Sequence, residues 1–120
     1  MKIRVVVDNV CQAADCGAEH GLSLYVEAGS RRFFFALGQS DLFVRNARQL
    51  GVDVAAADFA VVSHGHYDHG GGIQAFLHAN NHAEVMLHRR AFVGCYSQRE
   101  GRMRYIGLDA ALRAQPRLRL

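Results

Sequence analysis

Residues 59–72 read Phe-Ala-Val-Val-Ser-His-Gly-His-Tyr-Asp-His-Gly-Gly-Gly, an apolar stretch that passes directly into three histidines, an aspartate and three glycines. A short apolar run of this kind suits a strand buried on both faces, and such strands belong inside mostly parallel sheets. Parallel neighbours cannot be joined by a tight turn, so the flanking sequence must supply helical crossovers. Upstream, Ser40 or Asp41 offers an N-cap to residues 42–50, where Phe43, Ala47 and Leu50 share one face, Arg45 and Arg48 take the other, and Gly51 stops the helix. Downstream, residues 71–80 read as a short helix ended by Asn80 and Asn81, residues 83–87 as another buried strand, and residues 89–96 as the start of a further helix.

The first third is marked by strands. Residues 2–7, 22–28 and 31–37 are rich in branched and aromatic side chains, and Gly29-Ser30 between the last two reads as a hairpin turn. The β-α-β-α-β order that follows is the pattern of a parallel sheet with helical crossovers, and the hairpin makes the whole sheet mixed. In open α/β sheets ligands bind where the strands end at their C-terminal edge. Gly38, the histidine run and His88 are expected to meet on that edge, and the antiparallel strand at 22–28 brings His20 and Ser23 to the same rim.

A chain of 120 residues, half of it hydrophobic and 21% charged, suffices for one folded domain and one modest core. The domain is taken to span residues 1–120, with a basic tail at 110–120, carrying Arg113, Arg117 and Arg119, that is expected to fray. The charge of +3 comes from scattered arginines without a nucleic-acid-binding motif, so no nucleic-acid partner is expected. No apolar run approaches the roughly 20 residues that span a bilayer, and the start at Met1 does not read as a secretory signal. The expectation is a cytoplasmic protein with no membrane partner, in which three cysteines, an odd number, are free thiols, a local Cys11–Cys16 disulfide or a metal role being the alternative.

Neutral imidazole and carboxylate are the ligands that first-row divalent metals prefer, and a catalytic site needs about three of them plus an open position for water. His64 and His66 straddle Gly65, which permits a tight turn towards one ion, and Asp68 and His69 follow closely enough to reach a second. Gly70, Gly71 and Gly72 let the next helix approach closely. His78 and His82 read as surface residues, because Asn80 and Asn81 interrupt the helix that would align them.

The run SHGHYDHGGG resembles the H-x-H-x-D-H motif of the metallo-β-lactamase superfamily, placed after a buried strand as in that family. The segments AEHGLSLYVEAG, GQSDLFVRNARQLGVD and AFVGCYSQREGRMRYIGLD look like a branch of stand-alone metal-dependent hydrolases that includes dihydropterin-linked ribofuranosylaminobenzene phosphate synthases. The resemblance implies an α/β fold, specifically the N-terminal half of a metallo-β-lactamase αββα sandwich: a mixed sheet with helical crossovers. It implies one or two divalent ions, zinc first and iron or manganese as alternatives. His64 and His66 would bind one ion and Asp68 and His69 the other, and a metal-bound hydroxide would attack an ester, amide or phosphoester. Asp68 is the implied catalytic residue, which orients water or passes a proton. His20 and His88 are implied as residues of the substrate pocket.

Two departures from the family pattern bear on activity. Ala36-Leu37-Gly38 stands where the family carries Asp-Thr-Gly, and the resemblance covers only the family's first half, without the later ligands. The chain is therefore expected to be a hydrolase impaired on its own. The alternatives are a non-catalytic metal-binding or interaction module, and a half-site completed by a second copy or a complementing second half. The substrate is expected to be a small molecule of unassigned class.

Overall fold

The computed structural model describes all 120 residues. β1 (Lys2–Val7), β2 (Ser23–Ala28) and β3 (Arg31–Phe35) form an antiparallel meander, and β3 is followed by α1 (Leu42–Gln49). β4 (Phe59–Val61) leads into a one-turn helix α2 (Tyr67–Gly70) and then α3 (Ile73–Ala79), which returns the chain to β5 (Glu84–Met86). β4 pairs parallel to β3, and β5 parallel to β4, as the two crossovers require. The result is one mixed α/β sheet with its helical layer.

The basic tail departs from the sequence expectation. Instead of fraying, it forms a 3-10 turn at Ala110–Ala114 and then β8 (Leu118–Arg119), a sixth strand parallel to β5. Three anchors explain this: Leu118 is buried, the Arg117 guanidinium donates to the carbonyls of Leu77, Asn80 and Ala83, and Arg119 forms a two-pronged pair with Glu84. The further helix expected from residue 89 is also absent. Residues 89–94 make turns, and β6 (Tyr96–Arg99) and β7 (Arg102–Tyr105) form a separate antiparallel hairpin. Left-handed Gly94 (φ 70°) ends any helical path, and Glu100 (φ 51°) with Gly101 (φ 73°) makes a two-residue turn whose twist suits a hairpin.

The core lies on one face of the large sheet. Tyr25, Phe34, Ala60, Val85 and Leu118 form a row across adjacent strands, beneath Phe43 and Ala47 of α1 and Ile73, Phe76 and Leu77 of α3. Phe34 packs edge-on against both Phe43 and Phe76. Buried Asn46 donates to the carbonyls of Val6 and Gly17, which ties α1 to β1. Asn80 does the same at the end of α3, bonding the carbonyls of Val54 and Ala57 and receiving the Ala83 amide. His78 and His82 are exposed. No helix is long and apolar enough to cross a membrane.

Candidate metal centre

The strand order brings the C-terminal ends of β3, β4 and β5 to one rim, and the histidine run leaves β4 there. Backbone bonds fix the run in place: Leu37 N–H donates to His69 O at 2.8 Å, and Leu22 N–H to Asp68 O at 3.3 Å. Glycines permit these approaches. A Cβ on Gly65 would stand 1.6 Å from Ala91 O, and one on Gly72 2.1 Å from Leu37 O, so neither position admits a side chain without moving backbone. The amides of Gly70, Gly71 and Gly72 are spent on the carbonyls of His66, Tyr67 and Gly38.

His64, Asp68 and His69 converge, with one potential ligand atom from each lying within 4.8 Å of the others. The His64 ring stands 4.3 Å from that of His69 and 4.5 Å from that of His66. Ser63 Oγ lies 2.8 Å from His64 Nδ1, which leaves Nε2 as the free nitrogen. Burial and the neighbouring His69 and His66 push the His64 imidazole below its ordinary pKa, against the opposing pull of Asp68. A neutral imidazole is the form that ligates metal. His69 Nδ1 lies 3.2 Å from Asp68 Oδ1, yet without the alignment of a hydrogen bond, so it is a buried nitrogen with no partner. Unpaired buried polar atoms are rare. This one has the Asp68 carboxylate as its near neighbour and no hydrogen bond of its own, which fits a residue of a metal-binding cluster.

Asp68 is the most enclosed member, with its side chain 14% exposed. On its outer side, His20 Nε2 faces Asp68 Oδ2 at 3.2 Å. The His20 tautomer follows from Asn9, whose Oδ1 accepts the Gly21 amide, so that its Nδ2 is the group donating to His20 Nδ1. The proton of a neutral His20 then sits on Nε2, facing the carboxylate. His88 lies on the opposite side, lining a cavity of about 320 Å³ with Ser63, His64 and His66, and its Nδ1 accepts the Arg90 amide. The structure thus brings His20 into contact with the cluster and sets His88 across a shallow opening from it.

Sequence reasoning missed one wall of the site. The β6–β7 hairpin is fastened to the run by an antiparallel bridge between His66 and Gly107 and by the Tyr67 amide donating to Ile106 O at 2.9 Å. Between hairpin and run lies a cleft of about 690 Å³ lined by His20, His66, Tyr67 and Asp68 on one side and Ser97, Arg99, Arg102, Met103, Arg104 and Ile106 on the other. The Glu100-Gly101 turn between two polar alternating segments was the available signal.

Comparison with known proteins agrees with this architecture. The family described as the metallo-beta-lactamase superfamily matches residues 16–119. An uncharacterized protein of Methanocaldococcus jannaschii is 31% identical over 112 residues, which cover 92% of this chain and 42% of that protein. The chain thus spans less than half the length of that curated relative. A subclass B3 metallo-beta-lactamase isolated from a soil metagenome library superposes with a TM-score of 0.54 at 19% identity, over 82% of this chain and 38% of the other. A metallo-beta-lactamase of Cronobacter sakazakii gives a TM-score of 0.54 at 23% identity, over 62% and 28% of the two chains. At these identities the structural likenesses speak for the fold.

Proposed function

The chain belongs to the metallo-beta-lactamase superfamily, and from that premise we propose that it is a metal-dependent hydrolase acting on an ester, amide or phosphoester. The observation that carries the reading is the convergence of His64, Asp68 and His69, one potential ligand atom from each lying within 4.8 Å of the others. In place of the His64–His66 and Asp68–His69 pairs expected from the sequence, these three residues would hold one divalent ion, with His66 beside them for a second. Zinc suits the donors best, and iron or manganese would also be accepted. The chemistry a bound ion supplies is the acidification of water and the polarisation of the scissile group.

The protein's own groups do the rest. His64 offers Nε2 because Ser63 engages Nδ1. Asp68, flanked by His20 and His69, is placed to orient water and take up its proton, and His20 steadies the carboxylate from the cleft side. The free thiols Cys11, Cys16 and Cys95 suit a reducing compartment, which supports a cytoplasmic location. The test is zinc and manganese titration of the wild type, His64→Ala and Asp68→Ala, together with hydrolysis of an activated phosphodiester. Loss of metal uptake in both variants is expected; unchanged uptake would remove the reading.

A second reading is supported by the sheet face opposite the helices. Ile3, Val5 and Met86 are 54%, 57% and 39% exposed there, beside half-buried Leu24, Phe33, Phe35, Phe59 and Val61. A contiguous apolar face of this size favours association. In this reading a second copy, or a complementing half, covers the face and completes the ligand set, and the chain alone turns over slowly. Activity that rises with dimer formation would support it, and a monomer at high concentration would end it. The non-catalytic alternative rests on Ala36, and restored activity in Ala36→Asp would argue for an impaired enzyme instead. The position is suited to that test, since Ala36 has φ 60°, a left-handed conformation that aspartate tolerates better than alanine.

A further inference from the structure

The β6–β7 register sets Arg99 directly opposite Arg102, and Ser97 opposite Arg104. Because side chains alternate along a strand, these four residues share one hairpin face, while Tyr96, Gln98, Met103 and Tyr105 take the other. All three arginines are solvent-exposed and none has a carboxylate partner within ion-pair distance; the chain's ion pairs are Asp68 with His20 and His69, Asp41 with Arg45, and Glu84 with Arg119. Like charges facing one another across a strand pair are destabilising. The arrangement is also directed, for all three arginines, with Met103 from the other face, line the same cleft as His20, His66 and Asp68.

A hairpin standing alone is marginally stable, yet the base of this one is tied to the histidine run by the Gly107–His66 bridge and the Tyr67–Ile106 bond. The base fixes which way the hairpin faces, and Arg104 lies nearest to it while Arg99 and Arg102 flank the turn. Guanidinium forks match the oxygens of phosphate and bind them through paired, charge-assisted hydrogen bonds. Three of them on one wall exceed what a single carboxylate needs and suit a dianion with several oxygens.

We infer that this arginine face is the anion-recognition wall of the site and that the substrate is a small molecule carrying a phosphoryl group. The inference rests on the hydrolase reading for what the neighbouring cluster does, but the binding it describes can be measured without metal. The experiment titrates inorganic phosphate into the metal-free chain at constant ionic strength, following the arginine side-chain Nε–Hε resonances. It compares wild type, Arg102→Gln, Arg104→Gln and, as a control remote from the cleft, Arg45→Gln. Zinc titration is run on the same four proteins.

The expected result is a shift confined to the arginines of the cleft, with phosphate affinity lowered about tenfold in each hairpin variant and unchanged in Arg45→Gln. Zinc uptake should be the same in all four. Equal phosphate affinity in every protein, or an equal loss in Arg45→Gln, would overturn the inference while leaving metal binding intact. Selective phosphate binding with no zinc uptake would instead remove the hydrolase reading and keep the anion wall.

Discussion

The two faces of the six-stranded sheet are made by the same strands and are almost equally apolar, yet they differ in what covers them. One face carries Phe34 at 0% exposure beneath α1 and α3, while the next residue on either side, Phe33 or Phe35, points to the other face and is only half-buried. Runs such as Phe33-Phe34-Phe35 and Phe59-Ala60-Val61 are what a strand needs when both of its faces are to be covered. The strand sequences are thus apolar on both faces, while the helices of this chain cover one of them.

The largest expected effect separates the faces directly. Phe34→Ala should cost about 3–5 kcal/mol of stability, because it empties a site packed by Phe43 and Phe76. Phe33→Ala, across the sheet, should cost about 1 kcal/mol, with only its stack on Phe59 to lose. Urea denaturation of the two variants checks this, and equal losses would break the contrast between faces.

Strain on the covered side gives the next effect. Ala36 is fully buried with a left-handed backbone, so Ala36→Gly should raise stability by about 1 kcal/mol, read from the thermal midpoint. On the bare face, Val5→Lys combined with Met86→Lys should change stability by no more than about 0.5 kcal/mol, while reducing self-association in sedimentation.

The smallest effect sits at the edge of the bare face. Hydrogen bonding to Arg119 holds the Glu84 carboxyl below its usual pKa. A lowered folded-state value means that this contribution is present above the ordinary carboxylate range and disappears as pH falls through the folded-state value. Acidification should therefore loosen β8 before the core, and Glu84→Gln should remove that pH dependence; hydrogen exchange at Leu118 and Arg119 reports it.

Much of this was legible from residue order. The hairpin of β2 and β3, the two crossovers and the meeting of His20 with the histidine run at one rim follow from alternation and the order of strands and helices, whereas the pairing of β1 with β2 was not read. Two segments were not legible because their structure depends on distant partners. The tail is ordered by Arg117, which reaches carbonyls of Leu77, Asn80 and Ala83 that no local pattern reveals. The segment from residue 89 has apolar residues at helical spacing, but left-handed Gly94, and the pairing of Ile106 with Cys95 and Tyr67, turn it into a hairpin wall. Within the site, the residue types pointed to metal chemistry, whereas the arginine wall required the hairpin to be seen in place.

The measurement that bears most directly on the central claim is the divalent metal content of the purified chain, compared between wild type and Asp68→Ala after equilibration with zinc. About one ion per wild-type chain and little in the variant is expected, because Asp68 contributes one of the three ligand atoms that His64, Asp68 and His69 bring together. A wild-type chain that takes up no metal, or a variant that takes up as much, would contradict it.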